Sequence, residues 1–370
     1  MSLNANVLAA IGSWLKADLA IDDRGFGMLT GAAGVAGAVG AFVLGPLVDR
    51  FGRRPPLLIG VAVFVVASVG YLVTDSLEAL LVVRLLSGFA AGVVTSSAAA
   101  AVADLVPYER RSAAMGIVTG AILLAVPVGM PIANLLASYS SWRLVFALQI
   151  VCALGAVPAI WFALPRGLGR SDGAWRAAVG ILRRRDVLAA LLSVALYTGA
   201  FFAATQFVAD WLHGTRLLDR DRHWIVWILL GVFAALGSFL FGRLADHTGK
   251  RRFVLVATLV VGVGLAVLGQ CGTPLAFAAV GMPIAAVSAA RSAALLALLS
   301  ELVPPQGRGT IMGLRAAANN LGTGTVPLLA GIIVQSRGFP AFLLVAGGLC
   351  VLAHLLVWRF VADDRAAGQR

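Results

Sequence analysis

Two arginines, Arg84 and Arg291, stand inside long apolar runs of a 370-residue chain that is 60% hydrophobic and only 12% charged. A guanidinium stays protonated in proteins. Its chemistry at such a place is to hold an anion or a strongly polar group, and charged side chains at membrane depth usually face a cavity and mark a ligand path. Arg84 lies about six residues inside its run, roughly 9 Å of helix rise; Arg291 lies near the middle of its own. For both, the alternative is a structural pairing, and Arg84 could also snorkel to the surface. A second set of polar residues falls in one later run: Tyr197, Thr198, Thr205, Gln206 and Asp210. The run of Arg84 adds Thr95, Ser96 and Ser97, although small hydroxyls are as often helix-packing groups. Asn319 and Asn320 could be packing groups or a binding pair. Carboxylates are scarce, and none falls at the middle of a run. A carboxylate in a partly dry cavity can take and release a proton near neutral pH. Asp18 and Asp210, near the ends of their runs, are the two placed to do so, and Asp210 reads equally well as an ordinary loop charge.

Other chemistry lacks its residues. Cys152, Cys271 and Cys350 are single residues in apolar surroundings, which predicts buried packing rather than disulfides or a metal site. The four histidines show no ligand spacing. No phosphate-binding glycine loop with its lysine is present, so ATP hydrolysis of that type is not expected. No nucleophile–base constellation suggests an enzyme, and no cofactor or metal is expected. A net charge of +12 would suggest nucleic acid in a soluble protein. A soluble domain, however, carries about a quarter charged residues, and this composition belongs to a bilayer.

The elements that position these residues follow from one charged turn. Gly45-Pro46-Leu47-Val48-Asp49-Arg50-Phe51-Gly52-Arg53-Arg54-Pro55 separates two apolar runs. The pattern returns as Gly242-Arg243-Leu244-Ala245-Asp246-His247-Thr248-Gly249-Lys250-Arg251-Arg252, an offset of 197 residues. The same offset relates Asp104 to Glu301, Pro107 to Pro304, Arg111 to Arg308 and Met115-Gly116 to Met312-Gly313. One ungapped offset over separated landmarks is an internal duplication. A spanning helix needs about 20 apolar residues. Eleven runs qualify, near 26–48, 56–74, 78–104, 112–137, 142–164, 187–209, 223–245, 252–270, 275–301, 309–335 and 339–361. Before them, Leu3 to Leu15 gives a short first span ending at Lys16, Asp18, Asp22, Asp23 and Arg24. It lacks the charged start and cleavage site of a signal peptide. In-frame upstream codons for roughly 10–20 further apolar residues are expected from that shortness.

Twelve spans with both termini in the cytoplasm put eighteen of the 29 Lys and Arg residues on the cytoplasmic side and seven on the other. This is the bias that sets orientation. Residues 1–164 form the first six-helix half and 187–362 the second; 363–370 form a cytoplasmic tail. The polar stretch 165–186 joins the halves. From Ala174 to Asp186 it reads either as an amphipathic helix on the membrane surface, through Trp175, Val179 and Leu182, or as a solvated basic linker. Trp14, Trp142, Trp211, Trp224 and Trp358 fall near span ends, as an aromatic belt requires.

Two six-span halves with this turn between spans two and three and again between eight and nine resemble the major facilitator superfamily over essentially the whole chain. The family motif is Gly-x-Leu-x-Asp-Arg-x-Gly-Arg-Arg/Lys. Residues 45–54 match every fixed position; the second copy has His247 where arginine is usual. Arg84-Leu-Leu-Ser-Gly88 is similar to the family's span-four signature. Pro107 to Arg111 and Pro304 to Gly309 resemble its loops before spans five and eleven. Ser141-Trp142-Arg143-Leu-Val-Phe146 resembles the opening of span six in its drug and sugar efflux branches. One departure is plain: span five keeps Pro127 and Gly129 but lacks most glycines of the proton-driven exporters' signature.

The resemblance implies an all-α membrane fold of two six-helix bundles and a cavity lined by spans one, four, seven and ten. It implies that Asp49 faces the start of span eleven near Gly309-Thr310, and that Arg53 pairs with Asp104. The second copy would place Asp246, Lys250 and Glu301 against the start of span five near Ser112. Gly45, Arg50, Gly52, Arg111, Gly242, Gly249 and Arg308 complete these two latches. A topology signal with a solubilising loop is the plainer reading of the basic residues, but it leaves the acids and glycines in both copies unexplained. The expected protein is a monomeric secondary transporter of the inner membrane. It moves a small organic solute by alternating access, with export coupled to protons. Its partners are that solute, protons and the lipid bilayer, with no nucleic acid. Arg291 without a central carboxylate points to an anionic or polar neutral solute. Proton-coupled uptake of such a solute, or a non-transporting paralogue acting as a membrane sensor, are the other readings.

Overall fold

The computed structural model of the protein describes residues 2–106, 124–165, 180–215, 217–303 and 308–362. Within them, the side chains at 2, 42–51, 99–100, 103–104, 163, 220, 242–243, 246 and 308–309 lie outside the description. The apolar runs form helices, because a backbone in hydrocarbon must satisfy its polar groups within its own segment. The first half contains α1 (Ser2–Leu19), α2 (Asp23–Phe51), α3 (Arg54–Val73), α4 (Leu77–Leu105), α5 (Met130–Tyr139) and α6 (Arg143–Ala163). A π-helical turn over Ala125–Gly129, around Pro127, leads into α5. The second half contains α7 (Arg185–Gly214), α8 (His223–Thr248), α9 (Lys250–Leu268), α10 (Pro274–Glu301), α11 (Arg308–Arg337) and α12 (Phe339–Phe360). Among the described residues, nine helices are long and apolar enough to span a bilayer. The part of span five near 112–123, and residues 174–179 of the expected linker helix, lie outside the described residues; 180–182 are helical and α7 begins at Arg185.

The duplication is visible in the backbone. α2 ends at Gly52 with φ 84° and α8 ends at Gly249 with φ 92°, a region that favours glycine. These are the equivalent glycines of the two charged turns. The side chain of Ser76 caps α4 by accepting from Ala79 N at 3.3 Å, and Thr273 caps α10 by accepting from Ala276 N at 3.1 Å. Each of these pairs is separated by the 197-residue offset of the sequence.

The helix ends bearing Arg53, Arg54, Lys250, Arg251 and Arg252 form a basic face; those bearing Lys16, Asp75, Arg143 and Asp210 form the distal face. The apolar core differs between them. Toward the distal face, one continuous cluster joins both halves, from Ile11, Phe26 and Phe146 to Phe207, Trp227, Phe277 and Phe342. Toward the basic face, the described residues form separate cores. One holds Leu57, Ala101 and Leu164 of the first half. The other holds Val254, Leu295, Leu299 and Ile311 of the second. α2 and α11 form the main seam between the halves. A Cβ on Gly34 would lie 2.4 Å from Gly324 N, and one on Gly324 the same distance from Val35 N. The two backbones touch there, and glycine permits it.

One expectation about the core is corrected. Cys271 and Cys350 are buried, but Cys152 is exposed on α6, one of the least buried spans.

Candidate functional site

The seam closes at the distal face with an ionic knot. Lys16, at the end of α1, ion-pairs with Asp23 of α2 at 2.5 Å and with Asp210 of α7. It therefore ties two helices of the first half to one of the second. Its side chain is only 15% exposed, and Phe26 packs edge-on to Phe207 below it, with centroids 5.2 Å apart. A part-buried pair is screened less than a surface one. The Asp23 backbone N–H also donates to Gln335 Oε1 of α11 at 3.0 Å. Beside the knot, Arg143 bridges Asp18 at 2.9 Å and Asp75 at 2.5 Å. The Trp142 indole donates to Asp18 at 2.9 Å. These donors, Trp142 first and then Arg143, hold the Asp18 carboxyl below the usual carboxylate range. Asp18 lies past the apolar stretch of α1, in water. Of the two carboxylates singled out in sequence, Asp210 thus lies in the knot between the halves, and Asp18 fastens α1 within the first.

Arg291 is not exposed to a cavity in this conformation. It is 1% exposed. Its Nε donates to Thr258 Oγ1 at 3.0 Å and its Nη2 to Ser193 Oγ at 3.1 Å. Its guanidinium carbon lies 3.6 Å from the centroid of the Tyr197 ring. An arginine at mid-helix costs at least about 2.5 kcal/mol on the lenient insertion scale. Two hydrogen bonds to a charged group, at about 1.5–3 kcal/mol each, and a desolvated cation–π contact of about 2 kcal/mol offset that. In this conformation Arg291 is held by α7, α9 and α10 of its own half.

Arg84 is likewise turned into its own half. It donates from Nε to Leu29 O at 3.2 Å, and from Nη1 to Asn4 O at 2.9 Å and Asn4 Oδ1 at 3.0 Å. Asn4 in turn donates to Gln149 Oε1 at 3.1 Å. The cavity beside Arg84, walled by Leu29, Tyr71, Trp142 and Phe146, measures about 10 Å³. That is room for one water, not for an organic solute.

The remaining candidates divide. Tyr197 is brought to Arg291. Gln206 of α7 is 1% exposed, and among the described residues neither its Nε2 nor its Oε1 has a hydrogen-bond partner, a costly state for a buried amide. Asn320 faces α2, its Nδ2 lying 3.6 Å from where a Cβ on Gly37 would stand. Asn319 is half-buried one residue round the helix. At the basic face, Lys250 ion-pairs with Glu301. Arg53 is 7% exposed. Gly45 and Gly242 are helical, while the side chains of Asp49, Arg50, Asp104, Asp246 and Arg308, and all of Arg111, lie outside the described residues. Sequence reasoning missed the Lys16 knot. Its one available signal was a lysine just past the apolar stretch, with Asp18 two residues on and Asp22 and Asp23 six and seven residues on.

The model of the Major Facilitator Superfamily matches residues 1–233 and 223–370. The chain belongs to this superfamily. Among curated proteins, it is 24% identical over 337 residues to the inner membrane transport protein YdhP of Escherichia coli K12, covering 90% of this chain and 85% of that one. It is 26% identical over 362 residues to a chloramphenicol resistance protein of Streptomyces lividans, covering 96% and 92%. It is 24% identical over 388 residues to the hexuronate transporter of Bacillus subtilis, covering 97% and 91%. Its fold matches that of a bacterial homologue of the human lysosomal transporter Spinster, solved inward-facing and unoccupied. The TM-score there is 0.81 at 16% identity, over 97% of this chain and 94% of that one. As a superfamily member it is a multi-pass membrane transporter built from two six-helix bundles. In that frame the distal knot and the α2–α11 seam are contacts between the two bundles.

Proposed function

We propose that this superfamily member exports a small polar or anionic organic solute across the inner membrane by alternating access, driven by protons. The observation that carries the reading is the seam of the described residues: one apolar core shared by the halves at the distal face, and separate cores toward the basic face. A closed distal face suits capture of solute from the opposite, cytoplasmic side. On this reading the basic face is cytoplasmic, as the Lys and Arg bias expects, and the protein works as a monomer. Export is favoured by the likeness to a chloramphenicol resistance protein and by the Trp142-Arg143 opening of α6. Coupling is assigned to the knot, where two carboxylates, Asp23 and Asp210, share one ammonium. A proton taken up by either carboxylate removes one of the two attractions that hold the distal face shut.

Gly45 to Arg54 and Gly242 to Arg251 act in this scheme as latches of the cytoplasmic face. Asp49→Asn is expected to reduce transport strongly at equal expression, and Asp246→Asn more mildly, because its motif is less complete. Wild-type flux in Asp49→Asn protein removes the latch role. The function itself is tested in inside-out vesicles with a solute panel, with and without a protonophore. Concentrative uptake that the protonophore abolishes is expected. Concentrative accumulation only in right-side-out vesicles supports the other reading, proton-coupled uptake, which the likeness to a hexuronate transporter favours. Flux in neither orientation overturns both.

A further inference from the structure

Each charged turn is followed by a matched pair of side chains. Arg54 opens α3 and lies over Trp161 near the end of α6, its guanidinium carbon 4.0 Å from the centroid of the indole ring. At the 197-residue offset, Arg251 of α9 donates from Nη2 to the backbone oxygen of Trp358, near the end of α12, at 2.7 Å. The flanking residues do not match: Phe162 corresponds to Arg359, and Pro158 to Leu355. An arginine set against a tryptophan at this end of the bundle is therefore a feature of the repeat, not an accident of one loop.

The first-half pair meets the bilayer from the basic face. Trp161 is 48% exposed and Phe162 84%, and Arg54 is half-buried. Along the same two helices Ile59 and Val66 of α3 and Leu154 of α6 are exposed and apolar. The charge around the pair has one sign. No Asp or Glu occurs from Arg50 to Thr74 or from Arg143 to Ser171, and Arg166 and Arg170 fall within the second stretch. The end of α3 offers an anion little of its own backbone, because Pro55 and Pro56 carry no N–H group. The indole holds the guanidinium by its face, and the N–H groups lie in the guanidinium plane, where a stack does not use them.

We infer that Arg54 and Trp161 form a site for the phosphate of an anionic phospholipid in the leaflet at the basic face, with its acyl chains along the exposed apolar residues of α3 and α6. A planar fork of donors suits a phosphate. Tryptophan lies at head-group depth, and basic residues near a membrane surface favour anionic lipid. A zwitterionic lipid brings its own ammonium to the same phosphate, so the net negative lipid gains more from Arg54. The apolar surface beside the pair commits the site to a lipid rather than to a free phosphate. In the second half Arg251 gives a donor to a carbonyl, and Asp363 and Asp364 follow in the chain, so the inference is confined to the first half.

The test places the full chain in phosphatidylcholine nanodiscs that contain a minor fraction of lipid brominated on its acyl chains, either phosphatidylglycerol or phosphatidylcholine. Bromine quenches tryptophan fluorescence on contact, and the difference between wild type and Trp161→Phe isolates the Trp161 signal. At equal mole fraction, brominated phosphatidylglycerol is expected to occupy the site about fivefold more strongly, the preference of one basic residue at a lipid surface. Arg54→Gln and Arg54→Met should each bring the two lipids to equal quenching, and the thermal unfolding midpoint identifies the variant that folds. Equal quenching by the two lipids in the wild type overturns the inference, as does a phosphatidylglycerol preference left unchanged in the folded variant. Inorganic phosphate added to the same discs should leave the quenching as it was; displacement of the brominated lipid overturns a lipid as the occupant. The readout is lipid contact, so each outcome stands apart from whether solute flux is observed.

Discussion

The side chain of Arg291 shows how a charge can be legible in sequence while its task is not. Its depth in an apolar run was evident, and its cost followed from that depth. Its partners were not evident, because Ser193, Thr258 and Tyr197 come from two other helices, 98, 33 and 94 positions away. Hydroxyls in apolar runs also look like packing residues. The cage makes a prediction at this scale. Thr258→Val keeps the shape but leaves a buried guanidinium without one acceptor, which should destabilise the protein by about 1–3 kcal/mol. Thermal unfolding in detergent reads this as a lowered midpoint with the fold retained. An unchanged midpoint means that the hydrogen bond contributes nothing. Asp210 offers a second test. Asp210→Asn removes the only carboxylate that the second half contributes to the described knot. Flux driven by an imposed pH gradient should fall at least about tenfold, with exchange of solute between equal concentrations largely preserved. Loss of both together argues against a coupling role.

At the scale of elements, most of the architecture could be read directly. Apolar length gave the spans, since hydrocarbon thickness fixes helix length. The 197-residue offset gave the duplication, and it returns in the paired glycines at 52 and 249 and the paired caps at 76 and 273. What could not be read was which helices touch. Glycines are frequent throughout the chain, and only the assembled seam picks out Gly34 and Gly324, whose backbones meet. Gly324→Val would force side-chain atoms into α2, where a bare Cβ already falls 2.4 Å from Val35 N. The distal face should then fail to close while both bundles fold separately. Cysteine labelling from the outside is expected to gain reactivity at Ser13 and Thr30, which are buried in the wild type. Protection equal to wild type would mean that the seam tolerates separation there.

At the scale of the whole molecule, the described residues close the two halves on each other at the distal face, through one shared apolar core and the Lys16 knot. The conformational state could not be read from sequence, because alternative closures share one sequence and differ only in which contacts form. The shared apolar core and the Lys16 knot of the distal face define the present state. The most direct measurement of the account is a spin-label distance across the distal face. Glu78 and Gln270 are exposed there on opposite halves, and labels at these positions report the gap with Cys152, Cys271 and Cys350 replaced. The account predicts one short distance in the resting protein and a second, longer one that gains population in Lys16→Met, where Asp23 and Asp210 lose their shared partner. A single short distance, unchanged by Lys16→Met and by acid pH, would contradict alternating access through this face.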